Sequence, residues 1–395
     1  MFRSVPGAPP DPILGLSAAF QADDRDDKIN LTVGVYCEAD GSTPVLDVIR
    51  TAEQRLYDTE RSKTYLPITG SPLFARGVRT LLFGDDADLA ARSAVADTPG
   101  GTGALSVVAR LAWVTSHTTT VWISNPTWPN HRAVFADQGL GVQSYRYADA
   151  SGRRLPMAEL LEDLGRANAG DLVVLHGCCH NPTGADLTPS EWSQIAEVLL
   201  ARGAAAVVDT AYVGLGDGIE PDTAGIRILA EAGVELFVCL SFSKNLGLYA
   251  ERVGALVTVG PDAEAVHLVD SRVKACARSI YSNPPKHGGE SAAIVLTDPE
   301  LHAAWLDELA VMRQRINGLR SQLADQLAGA GLDLCPGVAT GRGLFSLTGL
   351  TSDEVVRLRT ERGIYLVENG RINVAALTED NIPLVVDAFA RLRQS

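Results

Sequence analysis

Short apolar runs separated by helix-period stretches dominate the chain from about residue 45 to 295. Val121-Trp122-Ile123, Leu172 to Leu175, Ala205 to Val208, Phe237 to Leu240 and Ala255 to Val259 read as strands. Each run is continuous rather than alternating. That predicts strands covered by helices on both faces, as in a mainly parallel α/β sheet. The pattern changes at Asp298, which suits an N-cap, with Pro299 at the first helical position. Leu301, Trp305, Leu309, Met312, Ile316, Leu319, Leu323 and Leu327 then recur at steps of three and four. This spacing predicts one long helix with a single apolar stripe, ending near Gly329 and Gly331. A short strand, Ile364 to Val367, and a last helix opened by Thr378 suit a smaller α+β unit. No internal repeat, low-complexity tract or long linker is evident.

Length and composition narrow the class. A chain of 395 residues fits two domains or one large α/β unit, at roughly 150 residues per domain. A core of that size needs no disulfide or metal support. The chain is 46% apolar and 21% charged, which argues against wholesale disorder. A net charge of −14 opposes non-specific binding to nucleic acid or anionic membrane. Small acidic substrates remain compatible, because they meet only a local pocket. The six cysteines are scattered apart from Cys178-Cys179, with no C-x-x-C pairing, so no metal is expected. Cys178 and Cys179 read as small buried apolar residues, with a redox or metal pair as the alternative. The first residues lack the apolar core of about 7–15 residues that a signal peptide needs. No apolar stretch approaches the ~20 residues of a transmembrane helix. A reducing cytoplasm is the simplest setting.

Candidate chemistry gathers where apolar runs end. Lys244 lies in Ser241-Phe242-Ser243-Lys244-Asn245, just past Leu236 to Leu240. Taken alone it reads first as a solvated surface charge, as most lysines are. Lysine amines also form imines with carbonyls, including the aldehyde of pyridoxal phosphate. That cofactor needs a lysine, an acid facing its ring nitrogen and a phosphate cradle. Asp209 ends the run Ala204 to Val208, where the other reading is a helix N-cap. Pro99-Gly100-Gly101-Thr102-Gly103 leads into an apolar helix, whose start would offer free N–H groups to an anion. Leu172 to His176 runs into Cys179-His180-Asn181-Pro182-Thr183-Gly184. Ligands in such sheets bind outside the strand carboxyl ends, where Asn181, Asp209 and Lys244 all fall.

These stretches resemble the class I aminotransferases of the aspartate/aromatic amino-acid branch, which have the PLP fold type I. The resemblance also runs through Asp11-Pro12-Ile13-Leu14-Gly15-Leu16, Val33-Gly34-Val35-Tyr36, Asn125-Pro126-Thr127-Trp128-Pro129-Asn130-His131, Glu251-Arg252-Val253-Gly254, Tyr281-Ser282-Asn283-Pro284-Pro285 and Gly370-Arg371-Ile372-Asn373. It implies a large pyridoxal phosphate-binding domain over 44–311 and a smaller domain built from 1–43 with 312–395.

The resemblance also implies roles. Lys244 would form the imine and then move the substrate proton, while Asp209 would pair with the pyridinium N–H. Tyr212 and Asn181 would bond the phenolic oxygen of the cofactor. Gly101, Thr102, Ser241 and Arg252 would cradle the phosphate, and Trp128 would stack on the ring. His131, and less directly His176, would support Asp209. Arg371 would grip the substrate α-carboxylate, with Gly34, Trp128 and Asn181 beside it. Arg278, for a distal carboxylate, and Tyr65, for the phosphate, would come from the neighbouring subunit of a homodimer.

The implied activity moves the amino group of aspartate, glutamate or an aromatic amino acid to a 2-oxo acid in a ping-pong cycle. Cys37, Thr64, Thr210 and Glu368-Asn369 depart from common family patterns, and Leu66-Pro67-Ile68 resembles the aromatic enzymes while Val35, Thr43, Thr102 and Asn283 lean toward the aspartate ones, leaving the side-chain class open. Two rivals stand beside this reading. One is an enzyme of the same fold that decarboxylates, eliminates or oxidises. The other is a non-catalytic ligand-binding regulator, whose mark would be loss of Lys244, Asp209 or Arg371. All three are present.

Overall fold

The inner strands of the central sheet are buried on both faces. The structure, a computed structural model, describes residues 2–5 and 14–394. Asp11-Pro12-Ile13 of the first matching stretch lies outside them, as do Met1, Pro6 and Gly7 of the chain start. The strands are β1 (Ile29–Asn30), β2 (Ser93–Pro99), β3 (Thr120–Asn125), β4 (Gly141–Arg146), β5 (Leu172–His176), β6 (Ala205–Thr210), β7 (Leu236–Ser241), β8 (Val253–Val259), β9 (Phe345–Leu347), β10 (Ile364–Tyr365) and β11 (Arg371–Asn373). Seven of them form the central sheet in the order β2-β8-β7-β6-β5-β3-β4. Only β8 in this sheet runs against its neighbours.

Successive residues of β5, β6 and β7 feed opposite cores. Val173, Leu175, Val208 and Leu240 pack toward one set of helices, and Val174, Val207 and Cys239 toward the other. This two-sided burial explains the continuous apolar runs. β2 and β4 were not expected as strands. β2 carries Asp97 and Thr98, and β4 is an edge strand with largely exposed residues.

The long helix is Pro299–Gly329, capped by Asp298, whose carboxylate accepts from Glu300 N and Leu301 N. All eight residues of its expected stripe are buried. Burying a large aliphatic side chain contributes roughly 1.5–3 kcal/mol, which accounts for a 31-residue helix keeping one apolar stripe. Leu301 to Ile316 pack into the main core, and Leu319 to Leu327 into a separate cluster with Ile364, Ile372 and Phe389. Two small sheets belong to that second cluster. β1 pairs parallel with β10, and β11 antiparallel with β9.

Two expected boundaries move. Only Ile364 and Tyr365 of the run to Val367 are strand, and the last helix, Ile382–Gln394, starts four residues beyond Thr378. Thr378 Oγ1 instead accepts from Asn381 N and closes the turn before it. Arg320, 1% exposed, donates to the carbonyls of Val338, Arg342, Gly343 and Phe345, fixing the loop that delivers Phe345 to the site. Among the described residues no helix is long and apolar enough to cross a membrane.

Candidate active site

Because β8 is reversed, its first residues lie at the same sheet edge as the last residues of β2 and β7. Pro99 pairs with Val253, and Ser241 with Gly254. A Cβ on Gly254 would sit 2.5 Å from Gly100 C and 2.6 Å from Leu240 O, so only glycine allows this convergence. A cavity of about 220 Å³ opens there. Its lining includes Lys244, Asp209, Asn181, Arg252 and Arg371, drawn from distant parts of the chain.

One end of the cavity is built for an anion. The 16-residue helix Gly100–Thr115 points its N-terminus at it through Gly101 and Thr102. Unpaired N–H groups and the helix dipole favour negative charge at such a terminus. Ser241, Ser243 and Arg252 complete the wall. Gly100 has φ +73°, and a Cβ there would lie 2.5 Å from Arg252 Nη2. The guanidinium therefore rests directly on the glycine turn, held by its Nη1–H to Tyr249 O at 3.1 Å.

Lys244 follows β7, and its Nζ stands 5.0 Å from the centre of the Tyr212 ring. Burial brings its pKa down from 10.5 to about 8, the positive fields of Arg252 and Arg371 add to that, and Asp209 opposes it. A depressed lysine pKa enlarges the neutral, nucleophilic fraction near neutrality. In the cofactor-free protein, reaction of Lys244 with an amine-directed reagent is thus expected to titrate near pH 8. A midpoint near 10.5 in peptide-mapped labelling would refute a desolvated amine.

Asp209 lies in β6 and heads a hydrogen-bond chain. Its Oδ2 is 2.9 Å from His131 Nε2, His131 Nδ1 is 2.8 Å from Thr127 Oγ1, and Thr127 Oγ1 is 3.1 Å from His176 Nε2. An ionised Asp209 accepts from His131 Nε2–H, which leaves His131 Nδ1 to accept from Thr127 O–H and Thr127 Oγ1 to accept from His176. Burial drives the His176 pKa well below its usual value, with the neighbouring histidines adding, so His176 is neutral in this chain. Burial alone would raise the Asp209 pKa. The hydrogen bond from His131, with the positive field of Lys244, outweighs it and holds the carboxyl below its usual range.

Across the cavity Arg371, 4% exposed, lies over the Phe345 ring with its Cζ 4.2 Å from the ring centre. Its Nη2 donates to Thr32 O at 2.7 Å, and its Nη1 lies 3.4 Å from Asn181 Oδ1. Its Nε has no partner among the described residues. A buried guanidinium with an unused donor suits an anionic ligand group. Gly34 makes room for Phe345, because a Cβ there would meet its Cζ at 3.0 Å. Trp128 lines another wall, edge-on to His131. Burial pushes the Tyr212 pKa up, so its hydroxyl stays protonated.

The structure thus brings Gly34, Gly101, Thr102, Trp128, His176, Asn181, Asp209, Tyr212, Ser241, Lys244, Arg252 and Arg371 to one cavity. His131 stands behind Asp209. Tyr65 and Arg278 are elsewhere: Tyr65 is 90% exposed, and Arg278 lies at the surface in the last turn of the helix Ala263–Ile280, donating to Ser282 Oγ. Ser282 bonds Asn283, whose Nδ2 donates to Leu66 O, so these two segments are joined to each other. Sequence reasoning missed Phe345, Ser243 and the bridging Thr127. Ser243 stood beside Lys244 and could have been found by proximity; Phe345 carried no local signal.

The donor set fits pyridoxal phosphate. It has an anion cradle against Gly100, a buried amine, a carboxylate held ionised and a free guanidinium N–H, all facing one space. A family model described as aminotransferase class I and II matches residues 26–389. The chain is 43% identical to an aspartate aminotransferase of Haemophilus influenzae over 99% of this chain and 100% of that protein. It is also 43% identical to an aromatic-amino-acid aminotransferase of Paracoccus denitrificans over 96% of both. A crystal structure of the aromatic-amino-acid aminotransferase of Burkholderia pseudomallei, covalently bound to pyridoxal phosphate, superposes with a TM-score of 0.95 at 44% identity, covering 99% of each chain. On this match over nearly its whole length, the chain belongs to the class I and II aminotransferases, enzymes that work with pyridoxal phosphate.

Proposed function

We propose that this aminotransferase draws its donors from aspartate, glutamate and the aromatic amino acids, and passes the amino group to a 2-oxo acid such as 2-oxoglutarate or oxaloacetate. The observation that carries the reading is the pairing of the buried Lys244 amine with the partly free Arg371 guanidinium across one cavity. Relatives named for aspartate and for aromatic substrates support both donor classes.

When bound, pyridoxal phosphate supplies a carbonyl for the amino nitrogen and a ring that takes up the charge left at Cα. Gly101, Thr102, Ser241 and Arg252 would hold its phosphate. Asp209 would hold the proton on the ring nitrogen, with His131 keeping that carboxylate oriented. Asn181 and Tyr212 would hydrogen-bond the phenolic oxygen, and Trp128 would cover the ring. Arg371 binds the α-carboxylate of every substrate, beside Gly34. Lys244 Nζ, whose neutral form becomes available near pH 8, would take the proton from Cα and return it on the other side of the transfer. A positioned general base of this kind contributes typically about 10²–10⁴-fold. Donor and acceptor use the same cavity in turn, so the first product leaves before the second substrate enters.

Arg278 and Tyr65 lie outside this chain's own cavity, and we read them as serving the partner's site in a homodimer. Residues 44–311 would form the cofactor-binding unit, and 1–43 with 312–395 the smaller unit that brings Arg371 and Gly34. A cytoplasmic setting follows from the same reading.

A substrate panel with two variants tests the specificity. Every amino-acid substrate has an α-carboxylate, so Arg371→Ala is expected to weaken all of them. Only dicarboxylic substrates have a distal one, so Arg278→Ala is expected to harm aspartate and glutamate selectively. Removing one member of a desolvated charged pair costs about 2–5 kcal/mol, roughly 30- to several-thousand-fold in kcat/KM. Equal losses for aspartate and phenylalanine in the Arg278 variant would refute this division.

A further inference from the structure

We infer that Asn245, anchored by Trp305, is a positioning residue that fixes the Lys244 side chain against Tyr212. The inference rests on the proposed role of Lys244 and extends it to residues that touch neither substrate nor cofactor.

Asn245 is fully buried, at 0% exposure. Its Nδ2 donates to Val213 O at 3.1 Å. Val213 follows Tyr212, so this one amide ties the turn after β7 to the segment after β6. Those segments carry the amine and the ring that face each other 5.0 Å apart. The main chain of the same residue is held from below: Asn245 O accepts from Trp305 Nε1 at 2.7 Å.

The turn is entered by Phe242 N–H donating to Val253 O at 3.0 Å and by the hydroxyl contact of Ser241 with Ser243 at 3.1 Å. Its own backbone bonds, Leu246 N to Phe242 O and Gly247 N to Lys244 O, are both long at 3.3 Å. Bonds at that length lie beyond the usual N–H···O range and hold a turn loosely. On the far side of Lys244 the two shorter bonds through Asn245 are therefore the tighter ties on its backbone. Trp305 is itself immobilised, at 0% exposure in the long helix Pro299–Gly329. On that helix Arg315 also donates to Cys37 O and Leu377 O. The anchor of the lysine turn is thus the helix that holds the chain beyond Gly34.

Asn245 Oδ1 has no partner among the described residues. A buried, half-satisfied amide is unfavourable beside an apolar side chain of similar shape. A residue serving only packing would not need that group. The amide is accounted for by the one bond it makes, to the segment of Tyr212.

The test compares Asn245→Ala and Trp305→Phe with the parent holoenzyme. Trp305→Phe keeps an aromatic ring and removes the indole N–H. Three quantities are read: the pH midpoint of the visible spectrum of the bound cofactor, kcat against KM with one donor, and thermal unfolding. Asn245→Ala is expected to lower kcat about 10- to 100-fold, the scale of a slightly misplaced reacting group, while KM stays near the parent value. Trp305→Phe is expected to act the same way by about 2- to 10-fold, the worth of one hydrogen bond. In both, the spectral midpoint is expected to move, because the field and solvation at Lys244 Nζ depend on its position.

A lower melting temperature with unchanged midpoint and kcat would overturn the inference and leave a purely structural residue. Should Asn245→Ala fail to fold, Trp305→Phe decides by the same readings. Borohydride reduction of the parent, followed by peptide mapping, separates the two levels. A label off Lys244 refutes the role of the lysine itself, whereas a label on Lys244 with unmoved midpoints refutes only its positioning by Asn245.

Discussion

Lys244→Ala is expected to lose turnover while keeping its fold and a measurable affinity for pyridoxal phosphate. The fold should survive because Lys244 faces the cavity rather than the core, and its Nζ rests on Tyr212 without an ion pair. Affinity should survive because the anion cradle at Gly101, Thr102, Ser241 and Arg252 is independent of the amine. Turnover depends on the amine as the proton carrier at Cα, a contribution of about 10²–10⁴-fold by itself. Loss of the attachment point adds to that figure. No neighbouring group replaces it: the Tyr212 hydroxyl is held protonated by burial, and Asp209 is committed to His131. The measurement is a single-turnover absorbance change with a saturating donor, set beside borohydride fixation in the parent. Fixation on a different lysine, or a residual rate within tenfold of the parent, would contradict the assignment.

Much of this site was legible because its chemistry sits at strand ends. In β5, β6 and β7 two-sided burial forces unbroken apolar runs. A polar residue closing such a run, such as Asp209, stands out against them. The anion cradle was legible for a similar reason, since three glycines at a helix start are costly to the helix and stand out in sequence. β4 escaped notice because an edge strand can be polar: Gln143 and Ser144 meet solvent, and the alternation that would mark it is broken. Phe345 was invisible because its role is set by partners far away, Arg371 across β11 and Gly34 near the start of the chain. Thr127 was hidden likewise, since it matters only as the bridge between His131 and His176. Tyr65 and Arg278 differ in kind. Nothing in their local pattern or in their surface position marks them, and only the family resemblance assigned them work.

The rival readings meet the same geometry. A ligand-binding regulator would need the cradle, but not a lysine brought down to about pH 8 facing an ionised carboxylate. A decarboxylating, eliminating or oxidising enzyme could use both, but the relatives that match over nearly the whole chain are named aminotransferases, which does not favour that reading.

Asp209 carries the second large effect, and three substitutions separate its charge from its shape. Its carboxyl lies below the usual range, so it stays ionised throughout the interval in which Lys244 changes charge near pH 8. A fixed negative charge against a protonated ring nitrogen is worth about 4 kcal/mol at 4 Å in a partly screened site, which corresponds to about 10³-fold in rate. Asp209→Ala removes the charge and the acceptor for His131 together, and is expected to lose at least that much in the half-reaction. Asp209→Asn keeps an oxygen for His131 Nε2–H but carries no charge, so it should fall close to the alanine variant. Asp209→Glu keeps the charge and displaces it by one methylene, and should retain most of the rate of the parent. This ordering follows from electrostatics alone, because a residue that merely capped a turn would tolerate asparagine better than glutamate. Stopped-flow absorbance with one donor at fixed pH gives the three rates, and equilibrium dialysis shows whether cofactor is retained. An asparagine variant as fast as the parent would mean that the hydrogen bond to His131, and not the negative charge, is what the site requires of this position.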